Sequence, residues 1–228
     1  LRHKLNTFAY ELFNESGYSC GCESNRARFQ KYLEQKYGSI DHANQVWNDH
    51  QKDFYTAARL TQLNEYPGIW VDWNKFSADR YVEVLKEMKA AIREVDQRPR
   101  TYFTEQCLLT NLLDFNGGSM DYRKICGALD FLAGEGGYSF GEKAQQTNNP
   151  MVAALEGSSS RYILLMDIFT AIARRDNKPV INNEHYNQRR YFGLRIPSRR
   201  SDIPTSLWGS VFHGSSSDML YTWGGRNY

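Results

Sequence analysis

The chain has 228 residues, a formal net charge of +2 and well-mixed charges, with 24% charged and 14% aromatic residues. That length suits one large domain or two small ones. No long Lys/Arg run marks a nucleic-acid or membrane surface, the short basic pairs Arg189-Arg190 and Arg199-Arg200 read as a solvated loop, and no apolar run is long enough to span a bilayer. Four cysteines are too few and too scattered for a disulfide framework, and the chain opens on Leu1-Arg2-His3-Lys4 with no signal-peptide pattern.

Residues 5–13 read as a buried strand that ends at Asn14-Glu15. Residues 25–37 read as a helix stopped by Gly38, and a shorter helix follows from Ile40 to about Asp49, capped by Ser39 or Asp41. Residues 51–74 read as irregular and aromatic. From Ser77 to Val95 the apolar residues Tyr81, Leu85, Met88, Ile92 and Val95 recur at helical spacing and predict one buried face.

After Pro99, residues 100–105 read as a strand, 121–127 as a weak helix and 128–133 as a second strand. A polar, glycine-rich loop from Gly134 to Gly157 is long enough to suggest a functional role. A helix over 159–175 carries Tyr162, Leu165, Phe169 and Ile172 on one face, then Lys178–Asn183 reads as the strand that delivers Glu184. A helix over 203–213 and a strand over 218–223 close the chain. Strands and helices alternate throughout, as in a parallel α/β architecture, and each strand ends in a polar or aromatic residue, where a (β/α)8 barrel carries its active site.

Three Asn-Glu pairs occur, but Asn64-Glu65 precedes Tyr66-Pro67-Gly68 and reads as a turn. Asn14-Glu15 and Asn183-Glu184 each end a strand. Two carboxyls brought together from two strand ends suit hydrolysis of a sugar linkage, in which one donates a proton to the leaving oxygen and the other, ionised, attacks the anomeric carbon. The asparagine before the acid can hydrogen-bond a neighbouring sugar hydroxyl. The five Trp and fifteen Tyr can stack on sugar faces, though they equally suit a packed core.

The run Asn14-Glu15-Ser-Gly-Tyr-Ser-Cys20-Gly-Cys22, followed by Phe29-Gln-Lys-Tyr32-Leu33 and by Tyr37-Gly-Ser-Ile-Asp41-His-Ala-Asn44-Gln-Val-Trp47, resembles glycoside hydrolase family 42, the β-galactosidase-like enzymes of clan A. Trp70-Val-Asp-Trp73-Asn-Lys-Phe76 resembles the segment leading into the next helix of that family. The match is strong over residues 10–96, and beyond them it rests on the Glu184 strand and on Leu220-Tyr-Thr-Trp223.

The resemblance implies a (β/α)8 TIM barrel with Glu15 after strand 4 as acid/base and Glu184 after strand 7 as nucleophile. It makes Asn14 the sugar-hydroxyl partner, Trp223 a stacking platform, Tyr138 a candidate hydrogen-bond donor to the nucleophile and His185 a candidate substrate contact. Strands near 101, 129, 180 and 220 would then be strands 5 to 8, so residues 1–228 are expected to form one incomplete catalytic barrel domain. The absent initiator Met and abrupt start fit a fragment, expected to be poorly soluble alone because its sheet edges and interior would be open.

Many family members carry Cys-x-Cys-x-x-Cys in the loop after the acid/base and bind zinc there. Here Asn25 stands in the third position. A tetrahedral zinc site needs four good ligands, so neither a metal nor a cofactor is expected, and Cys107 and Cys126 are expected in the core. The expected activity is retaining hydrolysis of β-galactosides by double displacement, on a carbohydrate substrate, with no nucleic acid or membrane partner. The full-length protein is a candidate homo-oligomer, with bacterial cytoplasm, periplasm and secretion all open. Two alternatives use the same residues: a clan A hydrolase of another polysaccharide, agarase-like, or a carbohydrate-binding barrel without activity.

Overall fold

A computed structural model describes residues 8–14, 17–61, 65–104, 120–135, 159–186, 188–191, 194–197 and 202–221. The protein is α/β, and the chain divides into two compact units, Gly17–Lys86 with Gly117–Asp121, and the remainder.

The first of these units is helical. Helix α1 (Glu23–Tyr37) buries Asn25, Phe29, Leu33 and Tyr37, four residues apart along one face. It ends as the sequence predicts: Gly38 takes φ 73°, a conformation that strains any residue with a Cβ, and its N–H bonds the Glu34 carbonyl. Helix α2 (Ile40–Trp47) is capped by Ser39, whose hydroxyl accepts from the His42 N–H at 3.2 Å. A short helix α3 (Phe54–Ala57) is capped by Asp53, which accepts from the Thr56 N–H.

Helix α4 (Pro67–Val95) starts ten residues earlier than its apolar periodicity predicts. Pro67 occupies the first helical position, where its missing N–H would have no intrahelical partner anyway and its fixed φ suits the helix. Tyr66-Pro67-Gly68 therefore opens a helix rather than an irregular stretch. Gly68 is required by close approach, since a Cβ there would stand 2.8 Å from the Trp47 side chain. The early turns bury Ile69, Trp73 and Phe76 against Phe29, with Phe29 and Trp73 edge-on at 5.1 Å. The buried carboxylate of Asp72 is compensated by the Tyr37 hydroxyl (2.6 Å), the Trp47 indole N–H (2.9 Å) and Lys36. Along the predicted face Tyr81 and Leu85 are buried, whereas Met88 and Ile92 are half-buried and Val95 is exposed.

The second unit carries the strands. β1 (Ala9–Glu11) pairs in parallel with β2 (Thr101–Phe103), in register Ala9↔Thr101 through Glu11↔Phe103. β3 (Leu132–Glu135), β4 (Val180–Tyr186) and β7 (Ser215–Tyr221) form a parallel sheet with β4 central. In the sequence between β4 and β7, β5 (Gln188–Tyr191) and β6 (Leu194–Pro197) form a separate antiparallel pair, so Arg189 and Arg190 belong to a strand rather than the expected loop.

The parallel strands are joined by α5 (Tyr122–Ala128), α6 (Ser159–Arg175) and α7 (Asp202–Phe212). β3 begins later than predicted because Leu129 still bonds back to Ile125, completing the end of α5. Asp130 accepts from the Tyr102 N–H at 2.8 Å and from Lys89, tying the turn before β3 to β2. Lys178 ties the start of β4 to the same turn by donating to the Leu129 carbonyl at 2.6 Å. In α6 the buried face runs through Met166, Phe169, Thr170 and Ala173, while Ile172 is only half-buried. Tyr162 and Leu165, predicted on that face, have side chains outside the described residues.

Phe103, Phe131 and Ala133 form a buried apolar cluster with Ala9 and Ile181 packed on it, and the Phe103 and Phe131 rings stack at 4.7 Å. These residues come from β1, β2, β3 and β4 and from the turn before β3. One apolar interior is therefore shared by both parallel sheets of this unit, on the face that carries Ala9 and Ile181.

Candidate active site

β1 delivers the first part of the site. Its pairing with β2 continues past the strand, through Leu12 N–H to the Phe103 carbonyl at 2.8 Å and through the Thr104 hydroxyl to the Phe13 carbonyl at 2.9 Å. Asn14 follows directly and is exposed. Glu15, Tyr138 and Trp223 lie outside the described residues, as does Cys107.

Glu184 is half-buried and sits within β4, which runs on to Tyr186, rather than after the strand end predicted at Asn183. The strand is irregular there. Against β3, Gly134 pairs Asn182 and Glu135 pairs Glu184. Against β7, Asn182 pairs Asp218 and His185 pairs Leu220. Both neighbours advance one residue fewer than β4, which defines a β-bulge at Asn183-Glu184. Asn183 is buried, and among the described residues its side-chain oxygen has no hydrogen-bond partner.

A second carboxyl comes near Glu184 among the described residues. Glu11, the last residue of β1, is exposed among those residues, and its carboxyl is held above the ordinary range first by partial desolvation and then by the negative charge of Glu184. The two side chains are therefore within electrostatic reach of each other, from β1 and β4. The sequence reading missed Glu11. The available signal was the alternation in β1, which puts Glu11 on the same face as Ala9 and so toward the shared interior.

On the other side of β4 is a buried polar cluster. Asp218 Oδ1 accepts from Ser210 Oγ (2.6 Å), His185 Nδ1 (2.8 Å) and Asn182 Nδ2 (3.0 Å). Burial pushes the Asp218 carboxyl up, but the hydrogen bonds from His185, Ser210 and Asn182 and the attraction of His185 together hold it below the usual range. His185 Nε2 stands 2.7 Å from Ser206 Oγ on α7. His185, expected to meet substrate, is 0% exposed and turned toward α7 with both ring nitrogens engaged.

In the helical unit, Cys20 and Cys22 bring their sulfurs to 2.7 Å, and the Cys20 thiol holds the exposed Cys22 thiol below its ordinary range. Asn25, in place of a third cysteine, is buried and donates to the Cys20 carbonyl at 2.7 Å, closing the loop with an amide. Cys126 is buried, as expected, and burial pushes its thiol up. Among the described residues no group of three or more His, Cys, Asp or Glu could hold a metal ion, and no helix is long and apolar enough to cross a membrane.

The described strands thus form an α/β protein in which a carboxyl of β1 and one of β4 lie within electrostatic reach. Residues 3–220 match glycoside hydrolase family 42, beta-galactosidase, and the chain belongs to that family. It is 24% identical over 139 residues to beta-galactosidase LacA of Lactobacillus acidophilus, a match covering 54% of this chain and 20% of LacA. The fold is similar to that of the beta-galactosidase from Rahnella sp. R3, with a TM-score of 0.72 at 17% identity over 96% of this chain and 31% of that one. It is also similar to a family 42 exo-carrageenase from Bacteroides ovatus, with a TM-score of 0.68 at 19% identity over 90% of this chain and 29% of that one. The chain thus spans about a fifth of the length of LacA and under a third of each of these two structures.

Proposed function

We propose that the protein is a retaining glycosidase that cleaves β-galactosides by double displacement. Glu184 is the nucleophile and Glu15 the acid/base. In the first step a Glu184 oxygen bonds the anomeric carbon while Glu15 protonates the departing oxygen. In the second, Glu15 takes a proton from water, the water oxygen bonds the anomeric carbon and the Glu184 ester breaks. Asn14 binds the sugar hydroxyl beside the reacting carbon, Trp223 stacks on the sugar and Tyr138 donates to the nucleophile. The two carboxyls are expected about 5–5.5 Å apart, the separation of retaining enzymes.

The observation that carries this reading is the position of Glu184. In a chain of family 42 it lies on a central parallel strand, half-buried, with its charge felt by a carboxyl of β1. β1, β2, β3, β4 and β7 are then strands 4 to 8 of a (β/α)8 barrel, supported by their parallel pairing and by the apolar interior that β1 to β4 share.

The test is hydrolysis of an aryl β-galactoside by the complete protein and by its Glu184→Gln variant. Equal rates would rule out Glu184 as nucleophile. The likeness to the exo-carrageenase favours a second reading, a polysaccharide substrate. Turnover of algal polysaccharides but not of aryl β-galactosides would select it. No turnover of either would select a carbohydrate-binding barrel.

A further inference from the structure

We propose that Asp218, acting through Asn182 and His185, locks the bulge in β4 that turns Glu184 toward the shared interior, and is thereby a positioning residue for the nucleophile. The inference rests on the assignment of Glu184 above.

The argument is one of parity. Side chains alternate along a strand, so residues separated by three positions point to opposite faces. Ile181 packs on the interior cluster of Phe103, Phe131 and Ala133, which places Asn182 on the opposite face, toward α7. Regular alternation from there would send Glu184 toward α7 and His185 inward. Instead Asn182 and His185 reach the same oxygen of Asp218, at 3.0 and 2.8 Å. Two side chains three residues apart share a face only because the strand holds an extra residue between them, as its pairing with β3 and β7 records. Asn183 and Glu184 then share the inner side, which agrees with the reach of the Glu184 charge to Glu11. A one-residue change of register reverses every later side chain, so whatever holds the bulge also decides which way Glu184 points.

Asp218 is suited to hold it. It lies opposite Asn182 in the β4–β7 pairing, and its Oδ1 collects donors from both sides of the bulge and from Ser210 of α7. Ser206, which donates to the Ile203 carbonyl, stands against the far edge of the His185 ring and fixes its tilt. Straightening β4 would withdraw His185 from this cluster and leave a buried carboxylate short of a donor, a costly outcome.

The test is covalent labelling of the complete protein with 2-deoxy-2-fluoro-β-galactosyl fluoride, read by mass spectrometry at Glu184. The C1–F bond breaks, fluoride leaves and a Glu184 oxygen bonds C1, so no acid catalyst is needed. Asp218→Ala is expected to lower the maximal labelling rate about a hundredfold, the order of loss from a misplaced reacting group, with half-saturation little changed. Asp218→Asn, which keeps an acceptor oxygen, is expected to restore most of it. Labelling of folded Asp218→Ala at the parent rate would overturn the proposal. Should that variant fail to fold, Asn182→Ala removes one donor across the bulge and is expected to slow labelling about tenfold, with the parent rate again overturning it. Crystal structures of the parent and the folded variant read the clamp without any activity. Glu184 displaced toward α7 supports it, and an unchanged bulge overturns it. A parent protein that is never labelled at Glu184 would instead reject the nucleophile assignment.

Discussion

The charge of Glu184, on β4, reaches Glu11 at the end of β1 and adds to the partial desolvation that already holds that carboxyl above its ordinary range. Coulombic coupling is mutual, so removing the Glu11 carboxylate also changes the field at Glu184. The proposed nucleophile must be ionised to act, so the pair would bear on the acidic side of the pH profile. Glu11→Gln is expected to move the acidic limb of kcat/KM to lower pH, measured on an aryl β-galactoside. An unmoved limb would mean that the two groups do not titrate together in the working enzyme.

Replacing Glu184 by Gln removes the proposed nucleophile but keeps its shape. Hydrolysis is expected to fall by on the order of 10⁴-fold or more, the scale at which loss of a nucleophile is felt in a concerted site. The variant should still bind sugar, which calorimetry with galactose would register.

Glu15→Ala removes the proposed proton donor, a contribution of about 10²–10⁴-fold. The loss should be large for a poor leaving group such as an alkyl alcohol and small for dinitrophenol, which departs without protonation. Comparing the two substrates separates a general acid from a residue that merely binds.

Asp218 ties stability to pH. Its carboxyl is held below its unfolded value of about 3.9, so the stability it contributes is present above that pH and is lost as pH falls through the lower, folded value. Asp218→Asn, which cannot ionise, should be less stable than the parent at pH 7, and the gap should shrink steadily below about pH 4. Denaturant midpoints at pH 7 and at successively lower pH values measure it.

Gly68→Ala is expected to destabilise the helical unit by about 1–3 kcal/mol, the cost of overpacking. The new Cβ would meet Trp47 at 2.8 Å, with the Trp47 Cα itself only 2.9 Å away, so no side-chain rotation relieves it. The denaturant midpoint should fall, and the Trp47 environment should change in near-UV circular dichroism.

Local features of the chain were readable without coordinates. Four-residue spacing of Phe29, Leu33 and Tyr37 with Gly38 behind them specifies α1 and its end, and Ser39 marks the start of α2. Turns, caps and helical faces are settled by residues a few positions apart, so short windows contain their causes. The start of α4 shows the limit of such windows. Tyr66-Pro67-Gly68 has the composition of a turn, and it opens a helix because Ile69, Trp73 and Phe76 find Phe29 to pack against.

Glu184 was noticeable as a candidate for the same local reason, since an Asn-Glu pair at the end of an apolar run needs no partner to be seen, and the structure places it on β4. Which way Glu184 faces was not. Simple alternation along β4 points it away from the interior, and the bulge that reverses this depends on Asp218, 36 residues beyond Asn182. The nearness of Glu11 to Glu184 depends in turn on an apolar interior shared by residues of β1, β2, β3 and β4. Residue types and spacing therefore determine the reactive groups this chain offers. Their direction and mutual charge are decided by partners distant in sequence, which meet only when the sheets have formed.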